Sequence, residues 1–482
     1  MRQFLSVFFA ALLIVSALAL LLFGKRPSLF ILPDGKQTPA TGRVIVTFWE
    51  KWSREEARAL QDLVDKFNLS QDRIYVNLVS MSQINQKMLI ATAGGDPPDV
   101  AGVWATQMAP FAANQAIEPL DELLADGSIS AHSYKPFIWN ICAPEQPDGS
   151  RRLYAASSTP ATCAIYINQD HLREAGLPPD TVPQTMEELD ELALKLMRPS
   201  LAEIQAGKPV ERAGFLPNEP GWLDFAWGFY FGNHLYDEQT HHFNIDTPAQ
   251  VAAFTWYESY PRRFPDVQQL QSFQSGFGQF NSPQNAFMSG KVSMVLQGPF
   301  FARFIERNKP ALVGHYRVGL VPLPKALGLP PGSISFGDLD IWVIPRGARH
   351  KPAALELLRF LTRQENIEYL CRMHAKPSPL TQVSEGFLQD HPNPYIRLFE
   401  QTMVAPRIEC MPMSPVWERV RGELNTTLGN MWRTPAQYPV QATLAHLQAT
   451  CDGYVAEYEY YANLRRQKLG PAGRRGTDAK RP

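Results

Sequence analysis

The sequence predicts an α/β protein built from two large regions. The first observation is a β-α-β-α-β succession over residues 44–104, where short β-branched runs alternate with amphipathic helical patterns. The second is another strand-then-helix succession that begins near residue 154. The third is the length of 482 residues, which exceeds one average domain, together with a hydrophobic fraction of 45% that is typical of globular chains.

The first region opens with a strand and a helix. Residues 44–49 form a β-branched and aromatic run, and Ser53 with Glu56 matches the capping-box pattern that begins a helix. Residues 74–79 predict a second strand, and a helix near residues 84–92 leads through a Gly-Gly-Asp-Pro-Pro turn to a third apolar strand. This succession predicts an α/β sheet.

The second region repeats this pattern further along the chain. Residues 154–168 are strand-like, and Thr185 with Glu188 begins a second clear helix. Gly290, which adopts positive φ at low cost, precedes a buried strand over residues 292–296. Further elements expected toward the C-terminus are strands at residues 319–324 and 341–345 and helices at residues 352–361, 417–432 and 441–464.

The N-terminal residues 1–26 predict a signal segment or a membrane anchor. Residues 4–23 contain only two polar side chains, and a helix of that length is roughly 30 Å long, which matches the hydrocarbon core of a bilayer. A cleaved signal peptide has a shorter apolar region of about 7 to 15 residues, so the pattern favours an uncleaved anchor. Residues 27–42 are expected to form a linker, and residues 465–482 a flexible basic tail.

Composition and motifs exclude several kinds of function. A net charge of -1 gives no reason to expect a nucleic-acid partner. The five cysteines include no Cys-x-x-Cys pair, so neither a zinc site nor any other metal or cofactor is expected; they form one or two disulfides or stay buried free thiols. The sequence also lacks a zinc-binding His-Glu-x-x-His helix, a nucleophile elbow, a phosphate-binding loop and a dinucleotide fingerprint, so no enzyme is expected. A glycoside hydrolase using paired carboxylates is a poor second interpretation.

Five short segments resemble a known family in their order and spacing. They are Val-Thr-Phe-Trp at 46–49, Gly-Asp-Pro-Pro-Asp-Val at 95–100, Ile-Tyr-Ile-Asn-Gln-Asp at 165–170 with Glu-Ala-Gly-Leu at 174–177, the glycine-turn and strand segment at 286–300, and Met-Ser-Pro-Val-Trp at 413–417. Over about residues 44–464 the chain resembles extracellular solute-binding protein family 1, the maltose-binding-protein-like substrate-binding proteins of ABC importers.

The resemblance implies a two-lobed periplasmic-binding-protein-like (type II) fold with hinge strands and a ligand cleft between the lobes. Lobe 1 would comprise residues 43–158 plus 321–376, and lobe 2 residues 159–320 plus 377–464. The implied function is capture of a mono- or oligosaccharide by hinge closure and its delivery to an ABC permease, by a monomer outside the cytoplasm. Two alternatives keep the fold: an anchored receptor that feeds a membrane sensor, and a binding protein for a non-sugar solute.

Sugar recognition needs flat aromatic faces for the C–H face of the ring and polar side chains for its hydroxyls. At expected cleft positions the chain supplies Trp49, Glu50, Trp52, Trp104, Trp222, Phe300, Asp338 and Trp417. Trp222 and Phe300 are the favoured stacking residues, Trp417 fits stacking and packing equally, and Trp49 leans toward the core. Asp338 and the nearby Asp340 fit a capped turn at least as well as hydroxyl binding.

The chain also departs from the maltose binder at charged cleft positions. Ala161 stands where an acidic residue is expected, and Thr106 and Gln107 replace a charged pair. Maltose itself is therefore not the expected ligand.

Overall fold

The computed structural model describes residues 29–31, 37–39, 42–146 and 149–469. The predicted signal or anchor segment at residues 1–26 and the predicted tail from residue 470 onward lie outside these ranges. Residues 465–469, also expected in the tail, belong instead to the last helix. Within the described residues, no helix has both the length and the apolar character that a membrane crossing requires.

Strands and helices alternate along most of the described chain. The strands are β1 Leu29–Ile31, β2 Gln37–Pro39, β3 Val44–Glu50, β4 Ile74–Ser80, β5 Val100–Trp104, β6 Ala156–Thr162, β7 Ala164–Asn168, β8 Ala213–Phe215, β9 Tyr236–Asp237, β10 His242–Phe243, β11 Val292–Gln297, β12 Tyr316–Gly319, β13 Ile334–Val343 and β14 Arg407–Cys410. The α-helices are α1 Arg54–Ser70, α2 Ile84–Ala93, α3 Met108–Ala113, α4 Asp121–Ala125, α5 Pro136–Cys142, α6 Gln169–Glu174, α7 Met186–Leu196, α8 Leu201–Gln205, α9 Trp227–Tyr230, α10 Pro248–Arg262, α11 Val267–Gln274, α12 Phe301–Asn308, α13 Lys351–Leu361, α14 Gln364–Met373, α15 Glu385–Gln389, α16 Ile396–Thr402, α17 Trp417–Arg433 and α18 Val440–Leu469.

The first sheet has six strands in the order β14-β13-β5-β3-β4, with β6 antiparallel to β13. Strand β3 runs parallel to both β4 and β5, so the predicted β-α-β-α-β unit is confirmed. Val46 and Phe48 of β3 are fully buried in the same core as Leu60 and Val64 of α1. This core fixes the place where β3 and β5 end.

The second sheet has four strands in the order β12-β7-β11-β8. Strand β7 is buried on both faces: Ile165 and Ile167 belong to a second core, whereas Tyr166 belongs to the first. Strand β11 is likewise buried at every position, and Gly290 just before it has φ of 74°, as predicted. Both faces of this sheet are therefore covered.

The chain passes between the two sheets with little connecting backbone. Strand β6 of the first sheet ends at Thr162 and β7 of the second begins at Ala164, so Cys163 alone separates them. The chain returns between β12 and β13. Strand β14 joins the first sheet although it falls in the range expected for lobe 2, and the residue bounds of the lobes stay a prediction.

Several local predictions are corrected by the structure. The strand expected at residues 319–324 ends at Gly319, because Pro322 and Pro324 have no N–H for a ladder. Strand β13 begins at Ile334, well before the expected residue 341. Ser53 precedes α1 but makes no side-chain cap bond. All five cysteines are free thiols, which is one of the two outcomes expected from the sequence and no correction.

Candidate functional site

A cluster of buried charges lies where β3 and β5 end. The Lys51 Nζ atom lies 3.3 Å from Glu50 Oε1 and 3.1 Å from Asp340 Oδ1. Lys376 Nζ donates to Asp340 Oδ2 at 2.7 Å and to Thr159 Oγ1 at 3.0 Å. Asp340 of β13 therefore bridges two lysines, and we call these five side chains the charge cluster.

The position of Glu50 depends on a glycine in the neighbouring strand. The Glu50 carboxylate is completely buried and accepts a hydrogen bond from Trp342 Nε1 at 3.2 Å. A Cβ atom at Gly102 of β5 would lie 1.8 Å from Glu50 Oε2. Only glycine at this position leaves room for the carboxylate between the strands.

Burial and ion pairing set the protonation of the charge cluster. Burial by itself would raise the pKa of Asp340, but the adjacent Lys376 and Lys51 ammonium groups outweigh it and hold that pKa well below its usual range. Burial raises the pKa of Glu50, against the opposing effect of Lys51. Burial would lower the pKa of Lys376, yet Asp340 outweighs it and raises that pKa. Asp340 and Lys376 are thus charged at neutral pH.

Two further carboxyl groups, those of Glu56 and Asp338, lie next to the charge cluster. Burial raises the pKa of Glu56, while its largest opposing influence is the positive charge of Lys376. The Glu56 carboxyl thus lies in the electrostatic field of the cluster, although the sequence predicted it as half of a capping box. Burial, followed by repulsion from Asp340, raises the pKa of Asp338 to about 6.

Aromatic rings lie on both sides of the charge cluster. Lys51 Nζ is 4.9 Å from the ring centre of Trp52 and 5.5 Å from that of Trp104, whose exposed fraction is 42%. Lys376 Nζ is 5.8 Å from the ring centre of Phe300. Trp222 stacks on Phe300 with ring centres 6.4 Å apart and an interplanar angle of 29°. The cluster thus connects aromatic groups from both large regions.

The structure therefore brings together six of the eight side chains expected in the cleft, namely Glu50, Trp52, Trp104, Trp222, Phe300 and Asp338. Trp49 is half-buried and packs against the first core, in agreement with the core position favoured by the sequence. Trp417 is fully buried in the second core against Phe225 and Phe243. This placement favours the packing interpretation of Trp417 over stacking on a ligand.

Sequence reasoning missed both lysines as site residues. Lys51 directly follows Glu50 at the end of a strand, and this adjacency could have indicated Lys51 from the sequence alone. Lys376 comes after α14 and meets Asp340 only through the fold. A further contact joins Gln107 Nε2 to Glu418 Oε1 of α17 at 3.0 Å, which no local pattern indicates.

The raised pKa of Asp338 predicts a pH-dependent difference between the wild type and Asp338→Asn. Between about pH 4 and pH 6 this carboxyl is protonated in the folded chain and ionised in the unfolded chain. The folded state then binds the extra proton, so wild-type stability falls relative to the neutral variant as pH rises through that window. In thermal unfolding, the melting temperature of the wild type should fall relative to that of Asp338→Asn as the pH rises to about 6. Above that pH the difference between the two melting temperatures should level off.

An exposed aspartate serves as the control for this measurement. Asp180→Asn should leave the melting temperature relative to wild type almost constant over the same pH range. A gap for Asp338→Asn that stays constant or narrows from pH 4 to pH 6 would contradict the burial of this carboxyl.

Comparison with known proteins gives one family and a consistent fold. A model of the family described as bacterial extracellular solute-binding protein matches residues 51–368. The sn-glycerol-3-phosphate-binding periplasmic protein UgpB of Pectobacterium atrosepticum is 22% identical over 421 residues, which cover 81% of this chain and 88% of the relative. UgpB of Escherichia coli is 20% identical over 368 residues, or 72% of this chain and 78% of the relative.

Solved structures of sugar-binding proteins share the fold. The structure of CpMnBP1 with mannobiose bound has a TM-score of 0.72 at 22% identity, over 84% of this chain and 99% of the other. The sugar-binding protein MalE from Xanthomonas citri has a TM-score of 0.67 at 20% identity, over 87% and 99% of the two chains. The two-lobed α/β fold expected from the sequence is therefore confirmed.

Proposed function

The chain belongs to the bacterial extracellular solute-binding proteins, and on this premise we propose that it captures a neutral carbohydrate and delivers it to an ABC permease. The observation that carries the proposal is the charge cluster flanked by Trp52 and Trp104 on one side and by Phe300 and Trp222 on the other. Aromatic faces cover the apolar side of a sugar ring, and the polar centre between them can bind its hydroxyls.

The balance of charge supports a neutral ligand over a phosphorylated one. The two lysines of the cluster are matched by Glu50 and Asp340, and Glu56 and Asp338 lie close by. Side chains that bind a phosphate need positive charge that neighbouring carboxylates do not already pair. The cluster has no surplus cation, so the ligand named for the UgpB relatives does not suit it.

Hydroxyl groups can take over the internal pairs of the cluster. Lys51, Lys376 and Thr159 supply donors, and Asp340 supplies acceptor oxygens. A sugar hydroxyl both donates and accepts, so it replaces one of these pairs without leaving a buried charge unpaired.

Membership of the family also leads us to propose a location, an oligomeric state and a partner for the protein. We place the protein outside the cytoplasm, working as a monomer with an ABC permease as its partner. Tethering by residues 1–26 belongs to the same proposal. N-terminal sequencing of the mature protein tests the tether, since a first residue beyond Phe23 contradicts it.

Ligand-dependent thermal stabilisation tests the proposed function. The purified protein is heated with mannobiose, with maltotriose and with sn-glycerol-3-phosphate at equal concentrations. A neutral saccharide should raise the melting temperature, since a ligand at a hundred times its Kd stabilises a protein by about 2.7 kcal/mol. The sugar should be recovered unchanged. A rise with the phosphate alone would overturn the neutral-ligand proposal, and release of product would overturn simple binding.

Phe300→Ala should weaken carbohydrate binding by about 1–3 kcal/mol, or roughly 5- to 150-fold in Kd. The variant removes the ring that faces Lys376 and stacks on Trp222. Titration calorimetry with the saccharide found by thermal shift measures the change. Tyr460→Ala is the matched control, because Tyr460 is 61% exposed on α18, and it should bind like the wild type. If the two variants bind the saccharide with equal affinity, Phe300 is not part of the binding site.

A further inference from the structure

A phenylalanine that was not among the side chains expected in the cleft lies against both favoured stacking residues. The ring centre of Phe280 is 6.4 Å from that of Trp222, at an interplanar angle of 60°, and 5.9 Å from that of Phe300, at 65°. It is also 5.6 Å from the ring centre of Phe304 on α12. Phe280 therefore meets Trp222 and Phe300 edge-on, which is a favoured geometry for aromatic pairs.

A polar loop that is held at two places presents this ring. The backbone N–H of Gly278 donates to the carbonyl oxygen of Gln284 at 2.9 Å and closes the loop between them. Asn308 Nδ2, at the end of α12, donates to the carbonyl oxygen of Asn281 at 2.8 Å. Phe280 is the only aromatic residue of the loop, and its side chain is half-buried. The backbone contacts thus fix the loop, and Phe280 connects it to the other rings.

The Trp222 indole depends on packing for its orientation. Its Nε1 atom is buried and has no hydrogen-bond partner among the described residues. The aromatic rings that lie against it are those of Phe280 and Phe300. Phe300 is more firmly placed, since its ring lies over Gly298, where a Cβ atom would overlap it. Without Phe280, Trp222 would keep only one of these two ring contacts.

We propose that Phe280 is a positioning residue of the carbohydrate site, which fixes the Trp222 indole beside Phe300. The Trp222 and Phe300 rings are inclined by only 29°, so a fixed pair offers a sugar one apolar surface. An indole that is already held in place loses less rotational freedom when a ligand binds, and this tightens binding. The inference rests on the proposed function, because it gives Phe280 a part in the same ligand site.

Fluorine NMR of the ligand-free protein tests the positioning directly. The full-length chain is labelled with 5-fluorotryptophan, and the Trp222 resonance is identified by its loss in Trp222→Phe. In Phe280→Ala the relaxation rate of this resonance should differ from that of the wild type, because the indole moves between orientations. Phe280→Tyr keeps the ring and should restore the wild-type rate. An unchanged relaxation rate in Phe280→Ala would overturn the proposal.

Saccharide affinity separates positioning from simple anchoring of the loop. With mannobiose or maltotriose, whichever stabilises the wild type, Phe280→Ala should raise Kd roughly 3- to 10-fold, and Phe280→Tyr should bind like the wild type. Phe277→Ala is the matched control, because Phe277 is also half-buried but lies against Phe273, with ring centres 5.1 Å apart. The control should lose stability in urea yet keep Kd within about twofold of the wild type. Equal Kd values for Phe280→Ala and Phe277→Ala would overturn the proposal.

A second background shows whether Phe280 acts through Trp222. In Trp222→Ala, the further change Phe280→Ala should alter Kd by less than about twofold, because the ring that it positions is already gone. A full loss of affinity in both backgrounds would overturn the positioning role, since Phe280 would then contact the saccharide itself. Phe280→Leu, which keeps apolar volume but no ring, gives the same test where the alanine variant does not fold. If neither saccharide binds the wild type, the proposed function fails, and the fluorine relaxation still decides whether Phe280 positions Trp222.

Discussion

Replacing Lys376 by methionine should lower the free energy of unfolding by about 3–5 kcal/mol. The lysine side chain is almost fully buried, and its ammonium group donates to Asp340 and Thr159. Methionine fills similar volume but leaves Asp340 with Lys51 as its only cation in the cluster. A buried charge that loses one partner is strongly destabilising, since water cannot replace the lost ion pair. Urea denaturation of the two proteins measures the difference.

A double substitution separates lost charge from lost packing. Adding Asp340→Asn to Lys376→Met removes the uncompensated carboxylate and should restore part of the lost stability. Lys309→Met is the control, because Lys309 is exposed and its replacement should change stability by less than about 0.5 kcal/mol. A loss of stability for Lys376→Met no larger than this control would contradict the buried charge cluster.

Trp417→Ala should lower the free energy of unfolding by about 3–5 kcal/mol through the large cavity that it opens. The indole is fully buried, with Phe225 meeting it edge-on at 5.6 Å and Phe243 stacked at 6.3 Å between ring centres. Such a truncation removes most of the packing at the start of α17. Denaturant unfolding gives the stability, and a carbohydrate titration of the folded fraction gives the affinity.

Two comparison variants make the interpretation of Trp417 specific. Trp417→Phe should cost less than the alanine variant, because it keeps a ring and removes a buried indole N–H that has no partner among the described residues. Tyr461→Ala, at a position 53% exposed, should be close to neutral. If Trp417→Ala keeps wild-type stability but loses sugar affinity, the packing interpretation is wrong and Trp417 contacts the ligand.

The fold was largely predictable because its signals are local. The alternating pattern of β3, the glycine before β11 and the cap of α7 each lie within a few neighbouring residues, and each is confirmed by the structure. Predictions failed where a distant contact decides the outcome. Glu56 fits a capping box by sequence, yet its carboxyl lies within reach of the charge of Lys376, which is more than 300 residues away in the chain.

In the candidate site, the sequence indicated the aromatic side chains near the charge cluster but not the two lysines. Trp104 ends a strand and Phe300 follows a Gly-Pro corner, so both are marked by neighbouring residues. Lys376 shows no such mark, because its role depends on a strand that lies more than thirty residues earlier in the sequence. Trp417 lies in one of the five segments that resemble the family. Whether its side chain is buried depends on the elements that cover it, and these come from distant parts of the chain.

The single residue between β6 and β7 limits how the two sheets can separate. Two residue steps join Thr162 to Ala164 and span at most about 7 Å, so the ends of β6 and β7 stay within that distance however far the lobes open elsewhere. At this junction the sheets can change their angle through a few backbone torsions, but they cannot slide apart. The junction at Cys163 therefore acts as a fixed pivot, and the amplitude of opening increases with distance from it.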